Sequence, residues 1–181
     1  MKKTILTLLI AAASLLAVAQ KKTTTSATIA FDASTAIDNL PKAENKTGIA
    51  AIDPAKNTIQ FEAAIKSFAF SNPRIQEHFN QKNWMNSDEF PKATFNGVIT
   101  NPTAVDFKKD GTYTVNVEGD LTIKGKSQKV KTPATIVVTG NTLTATASFS
   151  IKLADYDVDG PPINAGKVSK EPTITVSAEL N

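Results

Sequence analysis

Residues 61–97 read FEAAIKSFAFSNPRIQEHFNQKNWMNSDEFPKATFNG, and this stretch decides the fold. It contains the only histidine, the only tryptophan and most of the nine phenylalanines of the chain. At its start Phe61, Ala63 and Ile65 recur at every second position, as they would along one face of a β-strand. At its end Ala93 and Phe95 resume the same alternation. The stretch therefore predicts two strands joined by a connection.

The connection between these strands contains signals for a short helix. The parity of the apolar residues changes after Ser67, which predicts a bend or bulge. Asn72 can cap the free N–H groups of a helix start, and Pro73 suits the first helical position. Pro91 disfavours helix in the residue before it. We therefore expect one short helix around residues 73–83. The 72–91 segment would be either a lid over an opening or a plug packed on the core.

The rest of the chain alternates with the period of β-strands. The clearest pattern, from Thr112 to Lys124, would span about 43 Å at 3.3 Å per residue, and Gly119 permits a bend within it. Pro133 cannot donate to a ladder, so it should lie at an edge, a bulge or a kink. Gly140-Asn141 is a hairpin signal. Long strands with one apolar face suit a barrel of about eight strands, although the pattern alone also fits a two-sheet sandwich.

Four separated motifs resemble the YceI-like family of secreted lipid-binding proteins. The resemblance spans roughly Ala27 to Leu180. It implies an all-β fold, an extended antiparallel up-and-down β-barrel that is lipocalin-like and encloses a long apolar ligand such as a polyisoprenoid. It also implies that the protein is not an enzyme. The motifs are SFAFSNPRIQEHFN (67–80), NWMNSDEFPKATFNG (83–97), GDLTIKGKSQKVKTP (119–133) and FSIKLADYDVDGPP (149–162).

Residues 1–19 are predicted to be a signal peptide. A basic start precedes an apolar run, and Ala17-Val18-Ala19 is a typical cleavage site. The apolar run is too short to span a membrane, which takes about 20 residues. Cleavage between Ala19 and Gln20 would give a periplasmic or secreted protein without an integral membrane span. Residues 20–26 are predicted to be a disordered leader, and residues 27–181 a single barrel domain.

Charge and cysteine content exclude several functions. The chain has 20 Lys and Arg against 17 Asp and Glu, and loss of Lys2 and Lys3 would leave 18 against 17, a net charge of +1. No nucleic-acid partner is expected, since proteins that bind nucleic acids carry strongly basic surfaces. The lysines within residues 124–131 are interpreted as a solvated hairpin tip rather than as a patch for an anionic partner. With no cysteine, a disulfide, a thiolate nucleophile and a Cys-ligated metal are excluded.

Two motifs that imitate functional sites are interpreted as structural. Asp155 to Gly160 reads D-x-D-x-D-G like the start of a calcium loop, but Gly166 stands where that loop needs a bidentate glutamate. His78 has no second histidine with which to hold a metal. The sequence has no G-x-S-x-G motif of a serine nucleophile. We therefore interpret His78 as a residue whose hydrogen bonds hold the connection between the two strands in place. We therefore expect no metal, no cofactor and no catalytic residue.

Whether the barrel interior is filled or hollow decides the function. A stripe of apolar side chains usually belongs to a packed core. Small residues at inward-facing positions would instead leave empty volume inside the barrel. Those small residues are Ala63, Ala93, Gly119, Ala145 and Ala147. The resemblance favours the hollow barrel.

We therefore predict an exported protein that holds an isoprenoid-type lipid for transport, storage or an envelope stress response. The sequence leaves open whether two chains pair as a homodimer. The alternative is an exported β-domain with a filled core, acting as a structural or protein-interaction module. The predicted ligand-binding residues are the apolar ones at inward parity and the aromatics of the connection. They are Phe61, Ile65, Phe68, Phe79, Trp84, Phe90, Phe95, Val115, Val117, Leu121, Ile123, Phe149 and Ile151.

Overall fold

The computed structural model describes residues 20–181, so the predicted signal peptide lies outside the described residues. This part of the chain forms strands of very different length and two short helices. The strands are β1 (Lys22–Asp32), β2 (Lys42–Asp53), β3 (Thr58–Ala64), β4 (Ala69–Phe70), β5 (Lys92–Ile99), β6 (Gly111–Ile123), β7 (Lys126–Thr139), β8 (Thr142–Ser150) and β9 (Thr173–Leu180). The helices are α1 (Pro73–Asn80) and α2 (Pro161–Asn164).

The strands form one antiparallel sheet that closes on itself. Neighbours follow the order β1-β9-β8-β7-β6-β5-β3-β2, and the pairing of β1 with β2 joins the two ends. The two-residue strand β4 extends the sheet only at the start of β2. The predicted up-and-down barrel of about eight strands is therefore confirmed, and the two-sheet sandwich is not the fold.

The two ends of the barrel carry different connections. At one end, called here the helix end, α1 lies between β4 and β5, and α2 lies between β8 and β9. At the opposite end, called the hairpin end, a tight turn at Gly140 joins β7 to β8, with Gly140 at a φ of 57°. Positive φ is the conformation that the Gly-Asn hairpin signal requires. Both helices of the described residues thus lie at the same end of the barrel.

The disordered leader predicted over residues 20–26 is wrong for most of its length, because β1 begins at Lys22. Lys22 pairs with Ile52, and Thr23 pairs with Ala51. Thr23 also exchanges two backbone hydrogen bonds of 3.3 Å with Asn181 at the end of the chain. Consecutive threonines are β-branched and favour extended backbone. The composition of this segment alone suggests a linker, but pairing with β2 and with the end of the chain after β9 makes it a strand.

The predicted helix is present but ends three residues early, at Asn80 rather than residue 83. It starts as expected: the Asn72 side chain accepts a hydrogen bond of 2.9 Å from the backbone N–H of Arg74, and Pro73 takes the first position. After Asn80 the chain turns, and the buried Ser87 hydroxyl donates to the Asn80 carbonyl at 3.2 Å. That bond satisfies one of the carbonyls left free at the helix end.

A pair of glycines brings β5 and β6 close together under one aromatic ring. Gly97 lies directly opposite Gly119 in the ladder. A Cβ on either glycine would lie 2.6 Å from Cζ of Phe95, and one on Gly119 would also lie 2.4 Å from the Asn96 carbonyl oxygen. Real Cβ contacts do not approach so closely, so the missing side chains make room for the Phe95 ring. Gly119 therefore positions part of the interior wall.

Candidate functional site

The barrel encloses a cavity of about 130 Å³. The cavity lies between two clusters of packed side chains, one at each end. The hairpin-end cluster includes Ile52, Val115 and Leu180, and the helix-end cluster includes Phe79 and Tyr156. Residues from both clusters line the space between them. The interior is therefore packed at its ends and hollow in its middle.

The cavity wall is almost entirely apolar. Its residues are aliphatic or aromatic apart from Glu62, Thr94, Thr132 and Thr146. The Glu62 carboxylate lies 2.7 Å from Nζ of Lys92, in a half-exposed ion pair. The Thr132 hydroxyl lies within hydrogen-bond distance of the carbonyl oxygens of Pro133 (3.1 Å) and Ser148 (3.3 Å). Glu62 and Thr132 thus have partners within the protein, and a wall with so few polar groups offers a ligand contacts with hydrocarbon rather than a polar anchor.

Small side chains create the empty volume. Four of the five small residues singled out in the sequence line the cavity: Ala63, Ala93, Ala145 and Ala147. Two of them, Ala63 and Ala93, face each other across β3 and β5. Ala134 on β7 adds a fourth strand to this set and pairs with Ala147 on β8. A barrel of eight strands is wide enough to hold one small ligand when its interior positions are not filled by large side chains.

Seven of the predicted ligand-binding residues line the cavity. They are Phe61, Phe68, Phe95, Val117, Leu121, Ile123 and Phe149. The other six lie elsewhere, although they share the inward parity or the aromatic character. Val115 belongs to the hairpin-end cluster, Ile65, Phe79 and Ile151 belong to the helix-end cluster, and Trp84 packs against that cluster. Phe90 lies beside Gly125, at the turn between β6 and β7. Contact of any of the thirteen with a ligand stays a prediction.

Sequence reasoning missed the wall that β1, β7 and β9 contribute. Ile29, Val130, Ile136, Ile174 and Val176 line the cavity and were not predicted to do so. Their parity was a usable signal for Ile174 and Val176, which alternate with threonine and serine along β9. On β7 the inward positions also include Thr132 and Ala134, so the apolar stripe there is too weak to mark a binding wall.

Four phenylalanine rings close the helix end of the cavity. The Phe79 ring of α1 packs against the rings of Phe31, Phe68 and Phe70, with centroid distances of 6.1, 5.9 and 4.9 Å. Phe68 belongs to this group and also lines the cavity. α1 is therefore separated from the cavity by a single layer of side chains. Beside this layer, burial and the charge of Asp155 raise the pKa of Tyr156 to about 12, so its phenol stays neutral at physiological pH.

The motifs interpreted as structural lie outside the cavity. Nδ1 of the exposed His78 lies 3.3 Å from Oε1 of Gln81. Asp157 pairs with Lys126 at 2.9 Å. Lys129 pairs with Asp120 at 2.9 Å, and this hydrogen bond raises the pKa of Lys129. Within residues 20–181, no three Asp, Glu or His side chains come together as a metal site would require, and no helix is long and apolar enough to cross a membrane.

A closed eight-stranded antiparallel barrel around an apolar cavity places the chain in the class of lipocalin-like barrels. The chain belongs to the YceI-like domain family, whose sequence profile matches residues 16–180. The family predicted from the four sequence motifs is therefore confirmed. A relative in Photorhabdus laumondii, the UPF0312 protein plu2095, is 27% identical over 133 residues. That match covers 70% of this chain and 64% of the relative, which is less than two thirds of its length.

Two solved structures share the fold. BcnA of Burkholderia cenocepacia superposes with a TM-score of 0.69 at 22% identity, covering 86% of this chain and 96% of BcnA. A polyisoprenoid binding domain from Saccharophagus degradans, implicated in plant cell wall breakdown, superposes with a TM-score of 0.74 at 12% identity. In that case 89% of this chain and 97% of the domain are covered. At these identities the similarity establishes the shared barrel.

Proposed function

We propose that this protein is a non-catalytic binding protein that holds a long apolar, isoprenoid-type lipid in the barrel cavity. The observation that carries the proposal is the hollow middle of the barrel, walled by aliphatic and aromatic side chains. Its likeness to a polyisoprenoid binding domain supports an isoprenoid rather than another hydrocarbon. No cofactor is required for this role.

Retention of the lipid would come from removing hydrocarbon from water. That transfer is worth about 0.8 kcal/mol for each buried CH₂. The wall is mostly apolar, and its Glu62 and Thr132 are already paired, so a polar head group would gain little inside the cavity and would lie at an end of the barrel. Selection would then depend on the shape of the hydrocarbon more than on its head group.

We also propose that the chain is exported and acts in the periplasm or outside the cell, as the Ala17-Val18-Ala19 cleavage site suggests. There the lipid would be bound for transport, for storage or as part of an envelope stress response. The alternative, a β-domain with a filled core acting as an interaction module, is disfavoured by the cavity.

The proposal is tested by adding a polyprenol to protein freed of lipid and following thermal unfolding. A ligand that binds only the folded state adds about 2.7 kcal/mol of stability at 100 times its Kd. We expect this gain in the wild-type protein. We expect the same gain in His78→Ala, because His78 is exposed and does not line the cavity. No gain in the wild type would contradict lipid binding, and an activity abolished by His78→Ala in folded protein would contradict the non-catalytic role.

A further inference from the structure

The barrel wall is incomplete between β7 and β8. β7 pairs with β6 from Lys126 to Val138, nearly its whole length. Its pairing with β8 covers only the half from Ala134 to Thr139. The last residues of β8, from Ser148 to Ser150, pair with β9 alone. Two strands that are neighbours at the hairpin end therefore separate toward the helix end, and we call the gap the β7–β8 slit.

Pro133 explains where the slit begins. It would be the next β7 residue to pair after Ala134, opposite Ser148, but proline has no N–H to donate to a ladder. Of the edge, bulge or kink predicted for Pro133, the structure shows a local edge, where the β7–β8 ladder ends while pairing with β6 continues.

Beyond Pro133, four side-chain contacts take the place of a ladder. The Thr132 hydroxyl lies 3.3 Å from the Ser148 carbonyl oxygen, and Nε2 of Gln128 donates to the Asp155 carbonyl at 2.9 Å. Toward the helix end, Lys126 forms an ion pair of 2.9 Å with Asp157, and Nζ of Lys124 donates to the Asp157 carbonyl at 2.7 Å.

The slit leads into the cavity. Val130 and Thr132 on one side and Phe149 on the other all line the cavity. Val130 and Phe149 face inward yet stay only half-buried, in contrast to Ile136, which is fully buried where the ladder is complete. The last pair before the slit, Ala134 with Ala147, lines both the cavity and a depression on the outer surface.

We propose that the apolar ligand enters and leaves the cavity sideways, through the β7–β8 slit. This inference rests on the proposed function. Widening the slit along its whole length breaks three side-chain hydrogen bonds and one ion pair, but no backbone ladder. Passage at the helix end would instead require the four packed phenylalanine rings to separate. The sideways route leaves the four rings and the hairpin-end cluster in place.

A disulfide across the slit tests this route. Pro133→Cys with Ser148→Cys places two thiols at the next register position, on exposed residues, in a chain that has no other cysteine. The control is Thr144→Cys with Glu179→Cys, which joins two residues already paired between β8 and β9. The probe is all-trans-retinol, a fluorescent isoprenoid, and its rate of release to vesicles is measured in oxidised and reduced protein.

We expect oxidation of the slit variant to slow retinol release at least tenfold, with reduction restoring the rate and with equilibrium occupancy changed less than threefold. Oxidation of the control should change neither. Gln128→Ala, which needs no disulfide, should speed release several-fold. Unchanged release in fully oxidised slit variant and in Gln128→Ala would overturn the route while leaving lipid binding intact. Absence of retinol binding in the wild type would overturn both the route and the function on which it rests.

Discussion

Ala63→Phe is expected to abolish lipid binding while leaving the barrel folded. Ala63 is 6% exposed and lines the cavity opposite Ala93. A benzyl group there would occupy the space that the lipid needs. If that space is empty in the lipid-free protein, the added ring is accommodated and stability stays the same or rises. In a filled core the same ring would be overpacked, at a cost of about 1–3 kcal/mol.

Ala64→Phe is the matched control, because Ala64 is the adjacent residue on β3 and is exposed. Calorimetric titration with a polyprenol should give wild-type affinity for Ala64→Phe and no measurable binding for Ala63→Phe. Thermal unfolding of both variants without lipid completes the comparison. A lipid-free Ala63→Phe that unfolds several degrees earlier than the wild type, or one that still binds polyprenol, would show that the cavity is not the site.

Leu121→Lys is expected to have the second large effect, on both stability and binding. Leu121 is 8% exposed, lines the cavity and lies opposite Phe95, two residues deeper along β6 than Ile123 at the strand end. A lysine there would place an ammonium group in an apolar space, which costs several kcal/mol unless the group is paired. A loss of about 3 kcal/mol corresponds to a melting temperature lowered by about 6–12 °C in a chain of this size.

Thr122→Lys on the same strand is the control for this change, because Thr122 faces outward and its hydroxyl contacts Ser127. Thr122→Lys should keep the wild-type melting temperature and the increase in that temperature when polyprenol is added. Leu121→Lys should lose both. Equal behaviour of the two variants would mean that the inward and outward faces of β6 are wrongly assigned.

The alternation of β6, β8 and β9 predicted the barrel strands well, because each has one face in the interior and one in water. Parity does not reveal depth along the barrel axis, however. Val115 and Leu121 share a parity on β6, yet Val115 is packed in the hairpin-end cluster and Leu121 borders the cavity. The ends of each element depend on partners far along the chain, as at Lys22, which joins β1 only because β2 lies beside it. The β7–β8 slit likewise depends on how two strands pair, and Pro133 is its only signal in the sequence.

The central claim is that the hollow middle of the barrel holds a lipid, and analysis of the native protein tests it most directly. Full-length protein would be purified without detergent from its own host, and organic extracts would be analysed by mass spectrometry beside those of Ala63→Phe prepared in the same way. We expect an isoprenoid lipid in the wild-type extract at close to one molecule per chain, and its absence from the Ala63→Phe extract. A wild-type extract with no apolar molecule, or the same lipid at equal amounts in both extracts, would contradict the claim.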